Sequence, residues 1–171
     1  MKNLYAPWRS SYAASTDDSK QEQTKKDECV FCAQLQDNSD EKHFILKRYT
    51  HCFVVLNKYP YNAGHLMVLP LNHEKSLDNL SPQARHEIID ATNHCIKVVE
   101  KVLKTEGVNV GLNLGRASGA GIPSHIHMHI LPRWHGDTNF LPTLADVKVV
   151  SFDLKEVFEL LKPEFEHHTL K

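Results

Sequence analysis

Ser124-His125-Ile126-His127-Met128-His129-Ile130-Leu131-Pro132 alternates imidazoles with apolar side chains. Period-2 alternation is the pattern of a β-strand with one face in a core, so Ile126, Met128 and Ile130 are expected to point inward together. The three histidines then share the opposite face and set several groups that titrate near neutrality in one row. Alternate strand residues stand about 7 Å apart, which puts His125 and His129 about 13 Å apart. That span makes one tetrahedral ion bound by all three a poor fit. A division of labour suits the row better: one neutral imidazole attacks, and a protonated neighbour stabilises phosphate oxygens.

Outward from this row, Leu112-Asn113-Leu114-Gly115 ends an apolar strand, and Arg116-Ala117-Ser118-Gly119-Ala120-Gly121-Ile122-Pro123 leads into the histidines. A loop of small residues lets backbone N–H groups approach an anion closely. His43 to Tyr49 and Cys52 to Leu56 read as a strand pair, with His65 to Leu69 as a third strand. Ser81-Pro82 has the form of an N-cap followed by proline at the first helical position. Ile88, Thr92, Cys95, Ile96, Val99, Val102 and Leu103 then recur at helical spacing, predicting one long amphipathic helix to about Lys104, stopped by Gly107. Val108 to Leu114 is the fourth strand and the histidine row the fifth. Val30 to Leu35 is a short helix, and Asp153 to Leu161 a C-terminal helix ending before Pro163. The order predicts an α+β domain with a five-stranded antiparallel sheet.

Cys29-Val30-Phe31-Cys32 has the spacing of two thiolates on one zinc ion, which is half a tetrahedral site. Free thiols or a redox pair fit the same spacing, although a thioredoxin-like reading lacks its βαβ context. Cys52 and Cys95 fall on core positions and read as buried hydrophobes.

His125-Ile126-His127-Met128-His129-Ile130-Leu131 resembles the histidine-triad signature, His-φ-His-φ-His-φ-φ, of the HIT nucleotide hydrolases and transferases. The stretch from Asn57 through Tyr59-Pro60-Tyr61-Asn62-Ala63-Gly64-His65 to Pro70 is similar to the family's ribose-binding segment. Pro132-Arg133-Trp134-His135-Gly136-Asp137-Thr138-Asn139-Phe140 and Ala6-Pro7-Trp8-Arg9 resemble a branch that includes dinucleoside-polyphosphate hydrolases and phosphorylases. The resemblance implies a HIT-like fold with one long and one C-terminal helix. It makes His127 the nucleophile on the α-phosphate, through a nucleotidyl-phosphohistidine intermediate. It places His129 on phosphate and gives His125 to positioning the catalytic strand or to metal. Asn57 would bind ribose hydroxyls and Asn113 a phosphate oxygen, with backbone N–H groups around Gly119 and Gly121 completing the anion site. Some branches of the family supply a serine near the leaving group, and either Ser118 or Ser124 could be its counterpart. Trp134 would stack on a base or pack at a rim. His65 is expected to make a structural hydrogen bond. His73 and His125 would complete a zinc site with Cys29 and Cys32. The resemblance leaves any Mg2+ requirement open and implies a homodimer with a continuous sheet.

Composition bounds the rest. At 171 residues the chain suits one ordinary domain with a real core, read as an N-terminal arm (1–28), a HIT domain (29–162) and a C-terminal tail (163–171). In the arm, Leu4-Tyr5-Ala6-Pro7-Trp8 is expected to dock on the body and Ser10 to Glu28 to be extended or mobile. A formal net charge of -1 argues against wholesale nucleic-acid binding. No apolar run is long enough to span a membrane, and the N-terminus lacks the apolar stretch of a secretory signal, so a cytoplasmic location is expected. Three function classes follow. One is a nucleotidyl hydrolase or transferase acting on a diadenosine-polyphosphate-like substrate. The next is a phosphorylase or nucleoside phosphoramidate hydrolase of the same family. The third is a low-turnover nucleotide-binding zinc protein.

Overall fold

In the computed structural model, which describes residues 29–145 and 152–170, the chain begins with α1 (Val30–Gln36), β1 (Ile45–Arg48), β2 (Cys52–Leu56) and β3 (Leu66–Pro70). The long helix α2 (Pro82–Leu103) crosses to β4 (Gly107–Leu112), and a 3-10 turn (Arg116–Ser118) precedes β5 (Met128–Arg133). Two helices follow, α3 (Leu141–Ala145) and α4 (Leu154–Glu166). The strands pair antiparallel in the order β1-β2-β3-β5-β4, with Met67 opposite His129 and Val110 opposite Ile130. This is the α+β architecture that the alternation and the helical spacing predict. The arm and the docking of its aromatics lie outside the described residues.

Both faces of the sheet are covered, which is why every residue of β2 and β3 is buried. On one face, α2 and α4 bury Leu46, Val54, Leu66, Val68, Ile126, Met128 and Ile130. On the other, Phe31 and Cys32 of α1 pack with Ile45, Phe53, Val55, Met67 and Leu69. The histidine row shares this second face, so its members are not on a wet surface: His125 is 0% exposed and His127 7%.

Ser81 caps α2 by accepting the Ala84 N–H at 3.1 Å, with Pro82 at the first helical position. Glu87 ties this helix to the sheet, its Oε1 accepting the N–H groups of His51 and Cys52 at 2.6 and 2.9 Å. The helix ends differently from expectation. Lys104 closes it in the left-handed conformation (φ 51°), and Gly107 instead opens β4. The fully buried Cys52 and Cys95 are free, and burial pushes both thiols up in pKa, as expected of packing residues.

Two further boundaries are corrected. The fifth strand begins at Met128 rather than at His125, because the Ile126 N–H donates to Glu74 O at 2.7 Å instead of to a neighbouring strand. Ile126 keeps the inward alternation with Met128 and Ile130 although it lies outside the ladder. The C-terminal helix runs through Pro163 to Glu166. Pro163 sits on the exposed face, so the hydrogen bond it forgoes is lost on the solvent side. Fully buried Phe165 holds the last turn down, and Lys162 Nζ reaches Ile45 O and Leu46 O.

Candidate active site and metal centre

His125 and His127 each have one ring nitrogen against a backbone carbonyl, so their protons can be placed. A carbonyl only accepts. His127 Nδ1 lies 2.8 Å from His125 O, so Nδ1 carries the hydrogen and Nε2 keeps a lone pair. Burial lowers the pKa of His127, which favours that neutral form. Phe31 and His129 flank it at ring-centroid distances of 5.7 and 4.7 Å. His127 therefore has what a nucleophile needs: a fixed ring, a free nitrogen and no charge.

His125 Nε2 donates to Pro70 O at 3.0 Å, which turns its Nδ1 lone pair toward Cys29 Sγ (3.4 Å) and Cys32 Sγ (3.7 Å). His73 Nδ1 stands 3.4 Å from Cys32 Sγ. One ligand atom from each of Cys29, Cys32, His73 and His125 lies within 4.8 Å of the others. A zinc tetrahedron of two thiolates and two imidazoles has edges of about 3.3–3.8 Å, so the sulfur–nitrogen separations fit the group. The bond from the second ring nitrogen of His125 to a backbone carbonyl is the usual support of a ligating imidazole. These four residues form a group able to hold a metal ion.

His129 is tied to residues the triad motif does not contain. His65 Nε2 lies 2.9 Å from His129 Nδ1, and His65 is 0% exposed. Its other nitrogen meets the Tyr61 N–H at 3.1 Å and Asn57 Nδ2 at 3.2 Å. Tyr61 covers the pair, its ring 4.7 Å from His65 and 5.8 Å from His129. The expected hydrogen bond of His65 exists, but it is made to the triad itself. His129 is also 3.5 Å from the Asn113 amide, so Asn57 and Asn113 both reach the histidine cluster. Burial first, and then the neighbouring His127, push His129 down to about 4. It offers an N–H near neutral pH rather than the positive charge expected of a protonated neighbour.

The small-residue loop and Trp134 hold different positions. Gly119 N donates to Arg116 O at 3.0 Å and Ser118 Oγ to Gly115 O at 2.7 Å, so both close their own turn. Gly121 is exposed with open space around it, which leaves its backbone approachable. Trp134 lies beyond the far end of β5, about 17 Å of strand from His129. Its Nε1 donates to Lys104 O at 3.2 Å, and its ring lines a cleft of about 510 Å³ with Leu103, Asn139 and Phe152. Beside it, Asn62 Nδ2 donates to Pro132 O (3.0 Å) and to Asp137 (2.9 Å), holding the segment between Asn57 and His65 onto β5. Asn62, Tyr61 and the link from His65 to His129 carry no signal in the sequence beyond membership in the Asn57–Pro70 segment.

A HIT domain profile matches residues 38–136. AP-4-A phosphorylase of Mycobacterium tuberculosis is 33% identical over 165 residues, spanning 96% of this chain and 85% of that protein. The asymmetrical bis(5'-nucleosyl)-tetraphosphatase of Schizosaccharomyces pombe is 30% identical over 82 residues, 48% of this chain and 44% of that protein. Among solved structures, a zinc-bound histidine triad family protein from Mycobacterium smegmatis has the same fold. It aligns with a TM-score of 0.66 and 23% identity over 82% of this chain and 94% of that one. The profile covers β1 to β5, the strands that bring His65, His127 and His129 together, and the chain belongs to the HIT domain family.

Proposed function

We propose that this enzyme cleaves a dinucleoside polyphosphate at the α-phosphate, with His127 as the nucleophile. The observation that carries the reading is the placement of a largely buried His127 beside His129 with its Nδ1 taken by a backbone carbonyl and its Nε2 left with a lone pair. The lone pair forms an N–P bond while the bridging P–O bond breaks and the departing nucleotide leaves with the electron pair. Water or inorganic phosphate then breaks the N–P bond and releases the retained nucleotide. In this reading Asn113, 3.5 Å from His129, and the approachable Gly121 backbone would hold phosphoryl oxygens. Asn57, whose amide keeps one N–H beyond its bond to His65, would take a ribose hydroxyl. The kinship with a protein named AP-4-A phosphorylase supports phosphate as an acceptor. Diadenosine tetraphosphate in water should yield AMP and ATP, and in phosphate buffer ADP and ATP. Identifying the products in both media tests the reaction and its acceptor together. Absence of turnover in either medium would overturn the reading.

Zinc is the metal we assign to Cys29, Cys32, His73 and His125, on the strength of the two sulfur ligands and the fit of their separations. Four protein ligands close the coordination sphere, so the ion would cross-link the fold and orient His125 rather than bind substrate. We further assign a homodimer joined through β4. It is the edge strand beside β5, and Val110 on it is 44% exposed. Light scattering of the purified protein tests this. No helix among the described residues is long and apolar enough to cross a membrane, and a cytoplasmic location is part of the proposal.

A further inference from the structure

We infer that Asn57 and the Tyr61 backbone amide act through His65 to fix the ring proton of His129 on Nε2, making His129 a standing N–H donor to the phosphoryl group that His127 attacks. The inference rests on the reaction proposed above and adds two positioning residues, His65 and Asn57, to it.

The proton assignment follows from donors whose identity is not open. The Tyr61 N–H can only donate, and it points at His65 Nδ1 at 3.1 Å. The Asn57 amide is oriented by its other end. Its Oδ1 accepts the Tyr59 N–H at 3.0 Å, which leaves Nδ2 to donate to the same His65 nitrogen at 3.2 Å. Two donors on His65 Nδ1 leave no room for a hydrogen there. The ring proton of His65 is therefore on Nε2 and is given to His129 Nδ1 at 2.9 Å. His129 Nδ1 is an acceptor in turn, so its own hydrogen sits on Nε2. That nitrogen lies 3.5 Å from Asn113 Nδ2, and a hydrogen on it assigns the Asn113 amide with Oδ1 turned toward His129.

Water would short-circuit such a chain by supplying alternative partners. It is kept out by the burial of His65 and by the Tyr61 ring lying over both imidazoles. The hydrogen bonds run one way, from the Asn57–Tyr61 turn to the reaction centre. An N–H aimed in advance at developing negative charge needs no reorganisation during the reaction.

The test uses the full-length protein labelled with 15N-histidine and kept in its as-purified metal state. Long-range 1H–15N spectra, with His129→Gln to assign the ring, should show His129 as the pure Nε2–H tautomer. In His65→Leu, of similar bulk, that signal should give way to mixed tautomers, and kcat on diadenosine tetraphosphate should fall at least about tenfold with KM within about threefold. His65→Gln can accept through Oε1 and donate through Nε2, so it should restore the tautomer and most of kcat. A proton on His129 Nδ1 in the wild type would overturn the inference, with no variant required. So would an unchanged His129 tautomer in His65→Leu. The spectra do not depend on turnover, so failure of the proposed reaction and failure of the relay are read separately.

Discussion

A backbone carbonyl can only accept, so the 2.8 Å contact from His127 Nδ1 to His125 O decides which nitrogen of His127 remains free. Replacing His127 by Asn should therefore abolish covalent chemistry while sparing most contacts. Turnover is expected to fall at least about 10³-fold with nucleotide affinity within about tenfold. Near-native turnover would remove His127 from the role. Asn57 carries two duties, and a single substitution separates them. Asn57→Ala loosens His65 for every substrate, and in addition loses a ribose contact of about 1–2 kcal/mol for ribonucleotides alone. Four kcat/KM values, wild type and mutant on ribo and 2′-deoxy substrates, should show a common loss plus a larger one on the ribo side. Equal losses would confine Asn57 to its bond with His65.

Among the elements, α2 approaches the start of β3 closely beside the site. Gly64 precedes His65 at φ 69°, and a Cβ there would overlap Leu103 Cδ1 at the end of α2, so the Leu103 side chain would have to shift. Gly64→Ala should cost about 1–3 kcal/mol from left-handed backbone and overpacking together, and should displace His65. Gly107→Ala, with nothing within 4 Å of its Cβ, is the matched control. Thermal melts of the two that fall by the same amount would mean that the close approach does not matter. Elements set by local pattern were legible in the sequence: the Ser81 cap, the 3–4-residue spacing of α2, and the inward alternation of Ile126, Met128 and Ile130. Features set by distant partners were not. The start of β5 depends on Glu74, the last turn of α4 on the burial of Phe165, and the end of α2 on a lysine in a conformation that glycine more often adopts. The site divides in the same way. Cys29, Cys32 and the histidine row declare themselves by spacing, whereas His65 meets His129 across 64 residues of sequence.

For the whole molecule, two clusters hold distant segments together, and each makes a measurable demand. Cys29 at the N-cap of α1, Cys32 within it, His73 beyond β3 and His125 before β5 would be joined by a single ion. Purified protein should carry about one zinc per chain, and Cys29→Ser with Cys32→Ser should lose it and lower Tm. A metal-free wild type prepared without chelator, or metal retained in the double mutant, would refute that assignment. The second cluster closes the C-terminal end. His94 of α2 stacks on His168 with ring centroids 3.3 Å apart, Phe165 meets His94 edge-on at 5.0 Å, and Tyr49 OH contacts His168 Nδ1. Burial, the facing His168 and Lys97 push His94 down to about 4, against the opposing pull of Glu164. Burial with Lys47 and Lys97 lowers His168 as well. A depressed folded pKa means that the unfolded chain, near its ordinary value of about 6.5, binds the proton more readily. Stability from this stack is thus fully present above about pH 6.5 and is lost as pH falls toward about 4. His94→Phe keeps the ring and removes the titration, losing the bond to the Glu164 backbone, while His94 Nε2 has no hydrogen-bond partner among the described residues. Its melting temperature should decline less steeply than that of the wild type between pH 6.5 and 4.5, because the other acid-sensitive groups are common to both proteins. Parallel curves across that interval would show that the His94–His168 stack contributes nothing to the pH dependence of the fold.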